Sequence, residues 1–179
     1  MGTKEKIFYS RPDEDRLKKE LDTYEVLEKL NIPFIGTDHE AAMTMEDLQV
    51  AEEALNVKIS KNLFLCNSSK SKFYMLIMPG GKKFLTKNLS SQINSSRLSF
   101  ADGSYMEELL NITPGSLSVF GLMYDREHRV SLIIDEDVLG SEYFGCHPCV
   151  NTSTVRVKTV DILNKFLPYT DHQPVIVRL

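Results

Sequence analysis

The chain has 179 residues, 42% of them hydrophobic and 26% charged, which suits one globular domain with a real core and excludes the disordered, collagen-like and low-complexity classes. No run reaches the roughly 20 apolar residues that a membrane span needs and the N-terminus carries no apolar leader, so a soluble cytosolic protein is expected. The net charge of −4 hides an asymmetry: residues 54–101 contain no Asp or Glu and carry +8, which leaves −12 for the rest. Such a stretch points either to a polyanionic partner or to a basic face balanced by acidic neighbours in the fold.

In chain order, Ser10, Pro12 and Asp13 read as a helix start, and Leu17, Leu21, Tyr24, Leu27 and Leu30 recur at helical spacing behind them. Asn31 to Pro33 ends that helix, and residues 34–38 read as a short strand. Thr44 to Asp47 opens a second helix with a cap-like pattern that runs through Leu48, Ala51 and Leu55. Residues 61–65 and 73–78 are strands joined by a turn at Asn67–Lys70, a hairpin; Pro79-Gly-Gly81 breaks the second of them. Short helices are expected over 85–93 and 104–110, and a turn at Thr113-Pro-Gly115. Residues 118–123 and 130–134 read as a second hairpin, and 145–148 as a loop. A strand over 152–157, a helix over 160–167 and a strand over 175–177 complete the chain. Helices that interleave with hairpins indicate a mixed sheet in an α+β domain.

Three cysteines, Cys66, Cys146 and Cys149, are too few for a secreted disulfide framework. Cys146-His-Pro-Cys149 has the spacing of a redox pair, but only 30 residues follow it and the next segment reads as a strand, unlike the early, helix-opening position of a thioredoxin motif. A closed zinc site needs four ligands, and no second ligand pair accompanies this one. Two ordinary thiols in a tight turn is the plainer reading, and no metal is expected. There is no G-x-S-x-G elbow, Walker loop or dinucleotide-binding glycine pattern. An enzyme built on this sequence would use neither a covalent nucleophile of those kinds nor a cofactor.

Five segments taken together, Lys61-Asn-Leu-Phe-Leu65, Arg97-Leu-Ser-Phe-Ala101, the stretch 108–116 with Thr113-Pro-Gly115, Phe120-Gly-Leu122, and Gly145-Cys-His-Pro148 with Asn151, resemble the YbaK/ProX family of aminoacyl-tRNA deacylases. That family is related to the editing domain inserted in bacterial prolyl-tRNA synthetases. The resemblance runs from about residue 31 to the C-terminus and is nearest to the ProX/PrdX branch. It implies an α+β fold, a single domain with a curved, mostly antiparallel mixed sheet flanked by helices. Residues 1–15 are then an N-terminal extension and 16–179 the deacylase domain.

The resemblance also implies a function, hydrolysis of the ester in mischarged tRNA(Pro), alanine-charged above all. Cysteine-charged tRNA(Pro), or tRNA binding without catalysis, are the alternatives. The family's lysine falls on Lys61, its asparagine on Asn62, and its glycine and histidine–proline pair on Gly145, His147 and Pro148. Asp38, His39, Pro148 and Asn151 match substrate-pocket positions. Glu40 stands where many relatives carry proline, and Thr152 where some carry an acid. Lys61 would stabilise developing negative charge, the backbone of the 145–148 turn would complete that stabilisation, and the sugar hydroxyl beside the ester would move the proton. Lys70, Lys72, Lys82, Lys83, Lys87 and Arg97 become candidates for gripping the acceptor stem. Mischarged tRNA(Pro) is the implied partner, a prolyl-tRNA synthetase a further one, and a membrane is not.

Overall fold

The strands form where apolar runs are bounded by turn residues, and they assemble into two sheets. The computed structural model describes residues 6–13 and 15–179. One sheet contains β1 (Ile7–Phe8), β2 (Phe34–Asp38), β8 (Ser153–Lys158) and β7 (Tyr143–Cys146), in the order β1-β2-β8-β7, all antiparallel. The other contains β3 (Ser60–Asn67), β4 (Phe73–Pro79), β5 (Leu98–Phe100), β6 (Val130–Asp135) and β9 (Val175–Val177), in the order β5-β3-β4-β6-β9. Its β3–β4 and β3–β5 pairs are antiparallel; β4–β6 and β6–β9 are parallel. The helices are α1 (Lys18–Lys29), α2 (Gln49–Leu55), α3 (Thr86–Gln92), α4 (Gly103–Leu110), α5 (Glu136–Leu139), and a C-terminal segment of α6 (Thr159–Asp161), a π-helical stretch (Ile162–Phe166) and α7 (Leu167–Thr170).

β4 is the central strand of its sheet and is buried on both faces, which explains its unbroken apolar run. Met75 and Ile77 enter the main core with Phe64, Phe120 and Tyr24 of α1, while Tyr74, Leu76 and Met78 enter a smaller cluster with Leu89 of α3. The two sheets meet at one isolated parallel bridge between Ile59 and Gly145. A side chain at 145 would have its Cβ 3.0 Å from Val57 Cγ1 and 3.2 Å from the Lys58 carbonyl, so glycine permits that approach.

The α+β single-domain class holds, with the strands divided between two sheets where one curved sheet was expected. Three local expectations are corrected. First, α1 starts at Lys18, not near Ser10, and Leu17 at its head makes no side-chain cap. Phe8 pairs with Gly36 and its ring packs on Tyr24 and Phe34, so it belongs to the sheet and not to the helix. Residues 1–5 and 14 of the N-terminal extension lie outside the described residues, but Ile7 and Phe8 of that extension form a strand. Second, residues 119–123 are a 3₁₀ helix whose start is capped when Ser118 Oγ accepts the Phe120 N–H, and β6 pairs in parallel with β4 instead of forming a hairpin. The run 117–122 is buried throughout, and without alternation its apolar pattern does not distinguish strand from helix. Third, Gly145 and Cys146 belong to β7, held opposite Arg156 and Val155; the turn begins only at His147.

Replacing Gly145 with valine should lower unfolding free energy by about 1–3 kcal/mol through overpacking. Urea denaturation of the variant against wild type measures it.

Candidate active site

Three of the residues that the sequence singled out meet at a cleft of about 310 Å³ between the sheets. Its backbone side is β3. This strand pairs with β4 from Ser60 to Cys66, but with β5 only from Leu65 to Asn67, so its first half has an open edge. Phe64 accepts the Ala101 N–H across that edge at 3.0 Å. Hydrogen-bonding direction alternates along a strand, so the N–H and C=O of Asn62 point off the same open edge. The opposite wall is the loop 42–45, tied down twice. Asp47 accepts the N–H groups of Met43 and Thr44 at 2.9 and 2.8 Å, and the Asn151 carbonyl accepts the Ala42 N–H at 3.0 Å.

Lys61, Asn62 and His147 all line this cleft. The Asn62 side chain donates through Nδ2 to the Leu117 carbonyl at 2.8 Å, which fixes the amide orientation. Its Oδ1 is buried without a hydrogen-bond partner. An orphaned buried acceptor costs about 1–3 kcal/mol and marks a place where a ligand donor would be welcome. Lys61 Nζ donates to the Lys82 carbonyl at 2.6 Å, and its ammonium retains two further donors. That carbonyl is itself held in place, because Lys82 Nζ is paired with Asp135 at 2.9 Å and Asp137 at 2.8 Å.

His147 is buried, and its Nδ1 lies 2.8 Å from the Ser153 carbonyl. A carbonyl only accepts, so Nδ1 carries the proton and the neutral ring leaves Nε2 as a base. Burial pushes the His147 pKa below its ordinary 6.5, outweighing the Ser153 carbonyl that favours the charged ring. His39 is oriented the same way, Nδ1 donating to the Glu40 carbonyl at 2.7 Å and Nε2 accepting from Thr154 Oγ1 at 2.8 Å. Its ring centroid stands 6.0 Å from that of His147.

Cys146 also lines the cleft, as a buried thiol held well above its ordinary pKa by burial and then by Cys149. Burial pushes Cys149 up to about 12. Neither sulfur has thiolate character, which removes the support for a redox pair. Among the described residues no group of three His, Cys, Asp or Glu side chains is placed to hold a metal.

The remaining expected site residues do not line this cleft. Gly145 joins the sheets from β7, and Pro148 is buried just beyond His147. Asn151 holds the loop wall through Ala42. Asp38 faces a separate depression and is bound by Arg16 at 2.8 and 2.7 Å and by the Ser153 hydroxyl at 2.6 Å. Burial opposes its charge, but those hydrogen bonds hold its carboxyl below the ordinary value of 3.8. Of the basic residues, Lys82 is occupied by its two carboxylates and Lys70 meets Asp102 at 3.6 Å. Lys72, Lys83, Lys87 and Arg97 are exposed and take part in no ion pair among the described residues. Sequence reasoning missed the Leu117 carbonyl, the Ser153 carbonyl and the loop 42–45, none of which has a side-chain signature. It also missed Phe100 as a cleft residue, although this aromatic stands inside the acid-free stretch.

A family model for the aminoacyl-tRNA editing domain matches residues 39–165. The chain is 28% identical over 163 residues to prolyl-tRNA synthetase associated domain-containing protein 1 of Danio rerio, covering 90% of this chain and 86% of that one. It is also 28% identical over 136 residues to the prolyl-tRNA editing protein ProX of Acetoanaerobium sticklandii, covering 76% of this chain and 83% of the relative. A solved structure described as a candidate trans-editing enzyme for prolyl tRNA synthetase superposes with a TM-score of 0.67 at 14% identity, over 92% of this chain and 99% of the other, a likeness of fold.

Two titrations test the electrostatics. The His147 ring should titrate below 6.5 by NMR, and because the unfolded chain takes up that proton first, stability should decline as pH falls through 6.5. Asp38 stabilises the fold above its unfolded value of 3.8 and ceases to do so as pH falls through its lower folded value. Asp38→Asn should therefore flatten the acid limb of a plot of Tm against pH.

Proposed function

Because the chain belongs to the aminoacyl-tRNA editing domain family, we propose that it is a trans-editing deacylase that hydrolyses the aminoacyl ester of mischarged tRNA(Pro), alanine being the misattached residue. The observation that carries the reading is Asn62, whose unpartnered Oδ1 and open-edge N–H share one cleft with Lys61.

An aminoacyl ester presents an α-ammonium, a carbonyl oxygen and a ribose with a free hydroxyl. The α-ammonium donates to Asn62 Oδ1. The carbonyl oxygen lies against the Asn62 N–H and the Lys61 ammonium, fixed donors where charge develops as water adds. His147 Nε2 accepts a proton from the attacking water. The tetrahedral intermediate then expels the ribose oxygen, which takes a proton from the vicinal hydroxyl or from His147. Amino acid and free tRNA are the products, and no step calls on a metal or a covalent enzyme intermediate.

The amino-acid side chain would sit among Ala42, Leu48, Ile59 and Met106. A synthetase pocket distinguishes side chains that differ by a methylene by only about 1–3 kcal/mol, so a second, smaller pocket is needed to remove alanine. No helix of the described residues is long and apolar enough to cross a membrane. We place the protein in the cytoplasm, where charged tRNA is consumed, with a prolyl-tRNA synthetase as a docking partner.

Wild type should hydrolyse alanyl-tRNA(Pro) faster than the cysteinyl, seryl or prolyl forms, and chelators should leave the rate unchanged. Lys61→Ala should lower kcat by about 100-fold or more with unchanged circular dichroism. The acid limb of kcat/KM should lie below pH 6.5 and vanish in His147→Asn. Full activity of Lys61→Ala would remove Lys61 from the reaction.

A further inference from the structure

Phe100 is 64% exposed on the edge strand β5, and Met43 is 72% exposed on the loop across the cleft. Both line the cleft that holds Lys61 and Asn62. Single exposed apolar residues are ordinary, but two on opposite rims of one functional cleft form a slot. The Phe100 ring is braced edge-on by Phe84 at a centroid distance of 6.4 Å, which leaves its other surface to solvent. Phe84 adjoins Lys83, and both Lys83 and Lys87 are exposed without ion-pair partners among the described residues. The nearest acid in sequence, Asp102, is engaged by Lys70 at 3.6 Å.

Register fixes the spacing. Phe100 stands opposite Leu65, three residues along β3 from Asn62, which is about 10 Å at ~3.3 Å per residue. That is the reach of a nucleoside from its ribose hydroxyls to the far side of its base.

We infer that Phe100 is the stacking platform for the 3′-terminal adenine of the tRNA, with Met43 closing the slot from the opposite rim and Lys83 and Lys87 meeting the phosphates that precede it. This rests on the proposed reaction for the location of the ester. It assigns Phe100 to substrate positioning and to no part of the chemistry. Stacking needs only a π face, so the platform secures the end of the acceptor whatever amino acid it carries.

The test uses the full chain and tRNA(Pro) with 2-aminopurine in place of its terminal adenine. Wild type should quench the probe on binding. Phe100→Ala should lose the quench and bind about tenfold or more weakly, and Phe100→Trp should restore both. In hydrolysis of alanyl-tRNA(Pro), Phe100→Ala should raise KM with kcat little changed. No quench with wild type, or equal quench and affinity with Phe100→Ala, would overturn the platform. Quenching by a wild type that leaves every charged tRNA(Pro) intact would sink the hydrolytic reading and leave the platform standing.

Discussion

The close approach of β7 to residues 57–59 governs the rest of the molecule. At Gly145 the backbone of one sheet meets the entry to β3 of the other, with no room for a side chain between them. Two residues beyond Gly145 the chain delivers His147, and three residues beyond Ile59 it delivers Asn62. His147 and the unpaired acceptor thus come from different sheets, and the same contact that joins the sheets sets their separation. A side chain at 145 would act on the site without touching it, by wedging the two contributing strands apart.

The site itself is built from groups that each sacrifice something. Asn62 Oδ1 is left without a partner in the interior, and beside Asn62 one edge of β3 has no strand partner among the described residues. Both cost stability, and both are the features a polar ligand would satisfy. The surroundings are by contrast tightly committed. Lys82 is gripped by two carboxylates, Asp47 takes two amides of the loop wall, and Ser153 serves Asp38 through its hydroxyl and His147 through its carbonyl. Rigid partners around a few unsatisfied groups are how a fold pre-organises a site.

Much of this was legible in the sequence where signals were local. Phe34–Asp38 is an apolar run set off by Pro33, and the β3–β4 hairpin is marked by Asn67, whose side chain accepts the Ser71 and Lys72 amides. The resemblance placed Lys61, Asn62 and His147, and all three meet at one cleft. What stayed hidden depends on distant partners. Nothing local says that β5 stops pairing at Leu65, yet that is what opens the edge at Asn62. Nothing near Lys82 announces Asp135 and Asp137, so it read as one more free cation. The run 117–122 is buried on every side, so its pattern carries no period, and β1 is too short to stand out.

The open edge of β3 has a consequence for how such a protein changes over generations. A donor supplied by the main chain is present whatever side chain occupies the position, and among the twenty residues only proline at 62 would delete it. The walls around it, by contrast, are side chains free to vary. Under the proposed reaction, a lineage can therefore reshape which amino acid fits while inheriting the same amide donor.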